Sequence, residues 1–286
     1  MNLENEKEIR RAVKKLQTEM SIYDPNEVRV MLALERAVAR LASLPELTDH
    51  LVFKGGFVLL KYYDSPRFTR DVDALAVSIS KKDLCDRVEK ALQSDLDDCF
   101  WFGDIKHREL TEQGEYGAYR FDCAYQVGSP KPDKIHKLSR IHIDIGFSDH
   151  LPSLPKENVS PSLLTKVEPL TWKIYPAEFI VAEKLQTLMD RGSENSRAKD
   201  VFDLNYLFPK CKNKKSLITA IKQTFKNRGT DLPDNFAKQA KAIDLTLLSS
   251  GWRSVQLIDA ELGFEEAWGE LMEYLRVVDE IKAPHP

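Results

Sequence analysis

Apolar residues recur with two different periods along the 286-residue chain, and the places where the period changes mark its organisation. Residues 5–20 and 26–43 repeat every three to four positions. In the second stretch Val28, Val30, Met31, Leu32, Leu34, Val38 and Leu41 form an apolar stripe, the signature of a helix with one buried face. Leu51-Val52-Phe53 predicts a short strand, Lys54-Gly55-Gly56 a tight turn, and residues 57–63 a helix. Asp71 to Val77 predicts a second strand, followed by a helix from Lys81 to about Gln93 with Ser80 as its N-cap. Strict alternation then takes over, predicting strands at Ile105–Leu110, Tyr116–Val127 and Ser139–Phe147. Residues 149–169 carry Pro152, Pro155 and Pro161 and predict an irregular connector. After a short strand at Leu170–Ile174 the periodicity is helical. Pro176 there suits a first helical turn and Gly192 a helix stop.

The elements predict an α/β (α+β) chain. A mixed sheet flanked by helices fills residues 1–165, and a mainly helical domain fills 166–286. Composition narrows the function without naming it. Apolar runs fall far short of the roughly 18 residues that cross a bilayer, and the first residues are polar and acidic. A cytoplasmic protein with no membrane partner is expected. Cys85, Cys99, Cys123 and Cys211 are scattered with no Cys-x-x-Cys pair, which argues against a zinc site and against a disulfide framework. A net charge of −3 does not suit a chain built throughout to bind polyanions. One segment departs from that balance: between Leu204 and Thr230 there is no acidic residue, while Lys210, Lys212, Lys214, Lys215, Lys222, Lys226 and Arg228 all fall there. It is either a solvated helix face or a surface for the phosphates of an acceptor RNA.

Asp71-Val72-Asp73 carries the most chemistry. On a strand, alternate side chains share a face, so both carboxylates point the same way, roughly 6.6 Å apart at the backbone. Such a pair repels itself and loses hydration unless a cation neutralises it. Oxygen donors of this kind suit Mg²⁺, which keeps some waters and bridges to substrate phosphates. Asp144 sits in a second alternating run, Ile141-His142-Ile143-Asp144-Ile145. If its strand lies about 4.8 Å beside the first, three metal-binding carboxylates converge. That is a ligand set for phosphoryl transfer, with Asp144 also placed as a general base. Upstream, strand, Gly55-Gly56 and helix make a layout in which backbone N–H groups and a helix N-terminus can face a phosphate with no Cβ in the way.

Phe53-Lys54-Gly55-Gly56-Phe57-Val58-Leu59 together with Arg67-Phe68-Thr69-Arg70-Asp71-Val72-Asp73 resembles the first motif of the AbiEii/AbiGii toxin family, a branch of the DNA polymerase β-like nucleotidyltransferases. Ala182-Glu183-Lys184-Leu185 and Arg197-Ala198-Lys199-Asp200-Val201-Phe202-Asp203-Leu204 resemble its later segments. The resemblance spans about residues 53–207. It implies a Mg²⁺-dependent enzyme that moves a nucleoside monophosphate from an NTP, ATP among them, to an acceptor hydroxyl. The implied acceptor is a tRNA 3′ end, and the implied role is that of a toxin whose separate antitoxin acts as a transcriptional repressor. Transfer to a protein or small molecule, and a carboxylate/metal phosphodiesterase, remain alternatives. Where the wider superfamily has Gly-Ser, this chain has Gly55-Gly56, so one hydroxyl contact to phosphate is missing.

The resemblance implies catalytic duty for Asp71, Asp73, Asp144, Lys184 and Asp200, the first three of them as metal ligands. Lys54, Gly55, Gly56, Arg67, Thr69, Lys184, Arg197 and Lys199 would hold the nucleotide, the C-terminal domain completing its site. The residues themselves leave alternatives. Lys184 lies on or beside the apolar stripe of its helix, reaching either a triphosphate or an internal carboxylate such as Asp200. Arg197, Asp200 and Asp203, three residues apart, are either site groups or a surface ion-pair ladder. Arg67 either meets a phosphate or braces its turn, and Thr69 either faces the nucleotide or simply precedes the strand.

Overall fold

A computed structural model describes residues 3–110, 117–128, 132, 134–147, 151, 154–165, 167–255 and 262–282. The chain divides into two compact units, Met1–Asp64 with Phe68–Ile174, and Ser65–Arg67 with Tyr175–Pro286.

The first unit opens with helices α1 (Leu3–Glu19) and α2 (Pro25–Ser43) and a single turn, α3 (Pro45–Thr48). A reciprocal capping box starts α2: Asp24 accepts from the first-turn backbone while Glu27 reaches back to the Asp24 N–H. The helix is buried well beyond its apolar stripe, because Glu35, Arg36 and Arg40 are at most 2% exposed. Each has partners that offset its lost hydration. Asp98 receives Arg40 through both oxygens at 2.8 Å and Arg36 at 2.7 Å. Glu35 accepts from the Ser162 hydroxyl, the Leu163 N–H and Lys61 at 2.6 Å. Burial pushes the Asp98 carboxyl up, but Arg40 and Arg36 outweigh it and hold it below the usual range.

Strand β1 (Leu51–Lys54) leads directly into α4 (Gly55–Tyr62), then β2 (Asp71–Ala76) and α5 (Lys81–Leu92). Ser80 caps α5 by accepting from the Asp83 N–H. Strands β3 (Phe100–Leu110), β4 (Ala118–Val127) and β5 (Arg140–Gly146) complete a five-stranded sheet of order β1-β2-β5-β4-β3. Within this sheet the β2–β5 pairing is parallel and the other three are antiparallel. The predicted strand start at Tyr116 lies outside the described residues. Two expectations need correction. Strand β3 begins at Phe100 rather than Ile105, its register shifting between Gly103 and Lys106, so its alternation is interrupted where a pattern would be sought. The connector at 149–169 contains a strand, β6 (Glu157–Ser160), paired antiparallel with β7 (Leu170–Lys173). The partner strand stabilises it; its own polar sequence does not announce it. Below them Trp172, 1% exposed, packs its ring against Phe53 and Phe57 at 5.8 Å each.

The second unit is helical: α6 (Ala177–Arg191), α7 (Ala198–Leu207), α8 (Lys214–Asn227), α9 (Phe236–Lys241), α10 (Thr246–Gly251) and α11 (Phe264–Lys282). Pro176 occupies the N-cap of α6 and Gly192 its C-cap, with φ +48°, a left-handed conformation that glycine adopts cheaply. The four cysteines are buried and form no disulfide. No helix among the described residues is long and apolar enough to cross a membrane.

Candidate active site

Register aligns the charged residues of the first unit into two rows across one face of the sheet. Lys54 pairs with Asp73, Asp73 with Asp144, Asp144 with Arg120, and Arg120 with Arg108. Two residues along, Asp71 pairs with His142, His142 with Asp122, and Asp122 with Lys106. Two-residue spacing keeps both rows on the same side, while Val72, Ile143 and Phe121 fill the other. The strand of Asp144 is therefore the immediate neighbour of the Asp71–Asp73 strand.

The Gly-Gly turn sits against this face. Gly55 has φ +73°, and a Cβ built there would lie 1.9 Å from Asp73 Oδ2. Glycine is required twice over, by the backbone angle and by the carboxylate. Gly56 is buried in the first turn of α4, and Lys54 stands at its N-cap in extended backbone. Thr69 donates its hydroxyl to Asp71 Oδ1 at 2.5 Å.

Arg120, which the sequence alone did not single out, occupies both oxygens of Asp144 through Nε at 2.8 Å and a terminal nitrogen at 2.6 Å. Its guanidinium is held more firmly protonated than usual by that hydrogen-bonded pair, and by the charges of Asp71 and Asp73. The signal that could have found it is the alternation Arg120-Phe121-Asp122-Cys123, which puts two charges on the polar side of β4. His142 is pushed below its ordinary value by burial and by the Arg120 charge. Its Nδ1 lies 3.3 Å from Asp122 Oδ2 but makes no hydrogen bond.

Among the described residues no three His, Cys, Asp or Glu side chains are grouped closely enough to hold a metal ion jointly. At this face both oxygens of Asp144 accept from Arg120. The donor chemistry nonetheless fits a hard divalent ion, since Asp71 and Asp73 offer carboxylate oxygens on one side of β2.

In the second unit Lys184, Arg67, Arg197, Asp200 and Asp203 form one continuous chain of ion pairs. Lys184 Nζ lies 2.7 Å from Asp200 Oδ1 and 2.9 Å from Asp203 Oδ2. Arg67 grips Asp203 with two bonds of 2.8 and 2.9 Å, and Arg197 Nε donates to Asp200 Oδ2 at 2.9 Å. Asp200 and Asp203 are 3% and 0% exposed. Burial disfavours every charge here, but mutual attraction prevails. Asp200 is held at about 2 by Lys184 and Arg197, Asp203 is lowered by Lys184 and Arg67, and Lys184 is raised by Asp200 and Asp203. Arg67 thus braces Asp203, and Asp200 and Asp203 are interior groups rather than rungs of a surface ladder. Lys199, one residue from Asp200, points its chain to the exterior.

The sheet, its charged face and the helical unit can be set beside known proteins. No curated protein matches this sequence. Among solved structures, JHP933 from Helicobacter pylori matches at TM-score 0.52 and 20% identity, covering 87% of this chain and 90% of that one. A second Helicobacter pylori protein, named as a candidate nucleotidyltransferase, matches at 0.53 and 19%, covering 89% and 94%. MenT4, a nucleotidyltransferase toxin of Mycobacterium tuberculosis, matches at 0.48 and 16%, covering 89% and 94%. For the two Helicobacter pylori proteins the likeness is one of fold alone. Sequence goes further: residues 36–280 match the family model described as nucleotidyl transferase AbiEii toxin, type IV TA system. A match over that much of the chain places it in the AbiEii family of nucleotidyltransferase toxins.

Proposed function

We propose that the protein transfers a nucleoside monophosphate from an NTP to the terminal hydroxyl of an RNA, a tRNA 3′ end being the acceptor, with Mg²⁺ as the cation. Membership of a type IV toxin–antitoxin family implies an NTP substrate and a cognate antitoxin; on this reading the antitoxin also represses transcription. The observation that carries the reaction is the placing of Asp71 and Asp73 on one sheet face, against the Gly55 turn, with Asp144 in register beside Asp73.

In this reaction the acceptor oxygen forms a bond to the α-phosphorus as the bond to pyrophosphate breaks. Asp71 and Asp73 would hold the cation, with Asp144 as the neighbouring carboxylate. Bound there, it would supply neutralisation of the phosphate charge. Gly55 and Gly56 leave the start of α4 open to the triphosphate, where backbone N–H groups substitute for a missing serine hydroxyl. Both oxygens of Asp144 accept from Arg120, so Asp144 takes the hydroxyl proton once Arg120 turns to a phosphate, for which its planar fork is suited. In the second unit, Arg197 and Lys199 are the cations offered to an anionic substrate, Arg197 being held by Asp200, which Lys184 holds in turn. Helix α8 supports an RNA acceptor, because Lys215, Lys222 and Lys226 are exposed and share one face.

The test is incubation of the pure protein with Mg²⁺, each labelled NTP in turn and total RNA. Label should enter an RNA of tRNA size, and Asp71→Asn or Asp73→Asn should abolish it. Label entering protein or a small molecule instead would overturn the acceptor. Absence of labelling under every NTP, with toxicity unaffected by either substitution, would overturn the reaction.

A further inference from the structure

A cleft of about 490 Å³ opens in the first unit between α1, the start of α2 and the end of β4. Its charged lining is wholly basic: Arg10 and Lys14 from α1, Arg29 from α2, and Lys137 beyond β4. Arg10 is built into the wall. Its Nε donates to the Gly128 carbonyl at 2.6 Å, and a Cβ at Gly128 would meet the Arg10 stem at 2.8 Å. Glu6 shares its charge at 3.4 Å. Lys14, Arg29 and Lys137 have no carboxylate partner among the described residues. Several cations converging in a concavity with no lining carboxylate repel one another, and an anion seated there offsets that repulsion. Val13 and Leu138 add apolar wall. The volume lies within the roughly 300–1,000 Å³ typical of small-molecule sites.

The cleft is separate from the carboxylate rows. Tyr125, in its lining, lies three residues along β4 beyond Asp122, the nearest member of those rows on that strand, roughly 10 Å away, and by alternation stands on the Phe121 and Cys123 side of the strand. Arg10, Lys14 and Arg29 also precede residue 36, where the family match begins. We propose that this cleft is a second binding site, which takes a phosphate monoester of nucleotide size. The cations receive the phosphate and the apolar wall receives the body of the ligand. It does not depend on the transferase reading, because it uses none of the residues assigned to transfer.

Calorimetric titration with AMP at low salt and without divalent cation tests it on three full-length proteins. The wild type and an Asp71→Asn/Asp73→Asn variant should bind AMP with equal affinity, and inorganic phosphate should compete. A Lys14→Glu/Lys137→Glu variant should bind at least tenfold more weakly. Both lysines are exposed and have no carboxylate partner among the described residues, so folding is spared, and circular dichroism verifies it. No binding by the wild type, equal binding by the lysine variant, or loss in the aspartate variant would each overturn the proposal. So would a short single-stranded RNA that binds lysine-dependently where AMP does not, since the cleft would then be a strand groove.

Discussion

Gly55 and Asp73 are in such close opposition that residue 55 has no room for even a methyl group: its Cβ would stand 1.9 Å from the carboxylate oxygen. The start of α4 and the middle of β2 thus fix one another. Gly55→Ala must either move Asp73 or move the turn, and at φ +73° it also meets backbone strain of roughly 1–2 kcal/mol. The expected result is loss of nucleotidyl transfer with a reduced urea midpoint. Wild-type activity in Gly55→Ala would show that the Asp73 geometry is not required.

Arg120 neutralises Asp144 internally, so removing it should expose Asp144 as part of a like-charged group with Asp71 and Asp73. Arg120→Gln is expected to lower stability without divalent ions and to increase the gain in Tm when Mg²⁺ is added, relative to wild type. Equal Mg²⁺ shifts in the two proteins would mean that Arg120 and the cation do not compete. Arg120→Lys keeps the charge but not the fork, and should fall between them.

Why Asp71 and Asp73 were legible while Arg120 was not is a matter of range. The carboxylate pair is two residues apart and needs only the period of a strand. The Asp144 row needs a guess at strand neighbours, which hydrophobic alternation supports. The Arg120–Asp144 clamp depends on the register between β4 and β5, set by pairing along their whole length. Arg67 and Asp203 lie 136 positions apart, so no local pattern joins them. Helix α2 differs: Glu35, Arg36 and Arg40 lie outside its apolar stripe, yet Asp98, Lys61 and the 162–163 backbone let them be buried. Strand β6 has a single apolar residue, the exposed Val159, and is visible only through its pairing with β7.

The Asp98 cluster gives a stability prediction independent of activity. Asp98→Ala leaves the guanidinium groups of Arg36 and Arg40 buried without their common carboxylate. Breaking a buried pair in this way costs about 3–5 kcal/mol. Urea unfolding should show a loss of that order, and a loss under about 1 kcal/mol would show that the arginines find water instead.

The ion-pair chain of the second unit ranks its own mutants. Lys184→Met leaves Asp200 with Arg197 and Asp203 with Arg67. Asp203→Ala removes a fully buried carboxylate that accepts two bonds from the buried Arg67 and also faces Lys184. Asp203→Ala should therefore destabilise more than Lys184→Met. If Lys184→Met instead abolishes labelling while the urea midpoint scarcely changes, Lys184 acts on the substrate and not mainly within this chain.

Acid should act on the same chain with a definite sign. Asp200 is held at about 2, below the ordinary carboxylate value of 3.8. A carboxyl lowered on folding contributes stability above its unfolded value, and that contribution is lost as pH falls through the folded one. The window for Asp200 therefore lies between about pH 4 and pH 2. Lys184 is raised by Asp200 and Asp203, so its contribution is full below its ordinary 10.5 and is lost only at more alkaline pH. Asp203 and Asp98 are also lowered, so the wild type has several carboxyls titrating in acid. Urea midpoints measured from pH 6 to pH 2 should fall less steeply for Asp200→Asn than for the wild type, although the variant starts lower. Parallel slopes would show that folding leaves the Asp200 carboxyl unshifted, so that its pairs with Lys184 and Arg197 do not stabilise the folded chain.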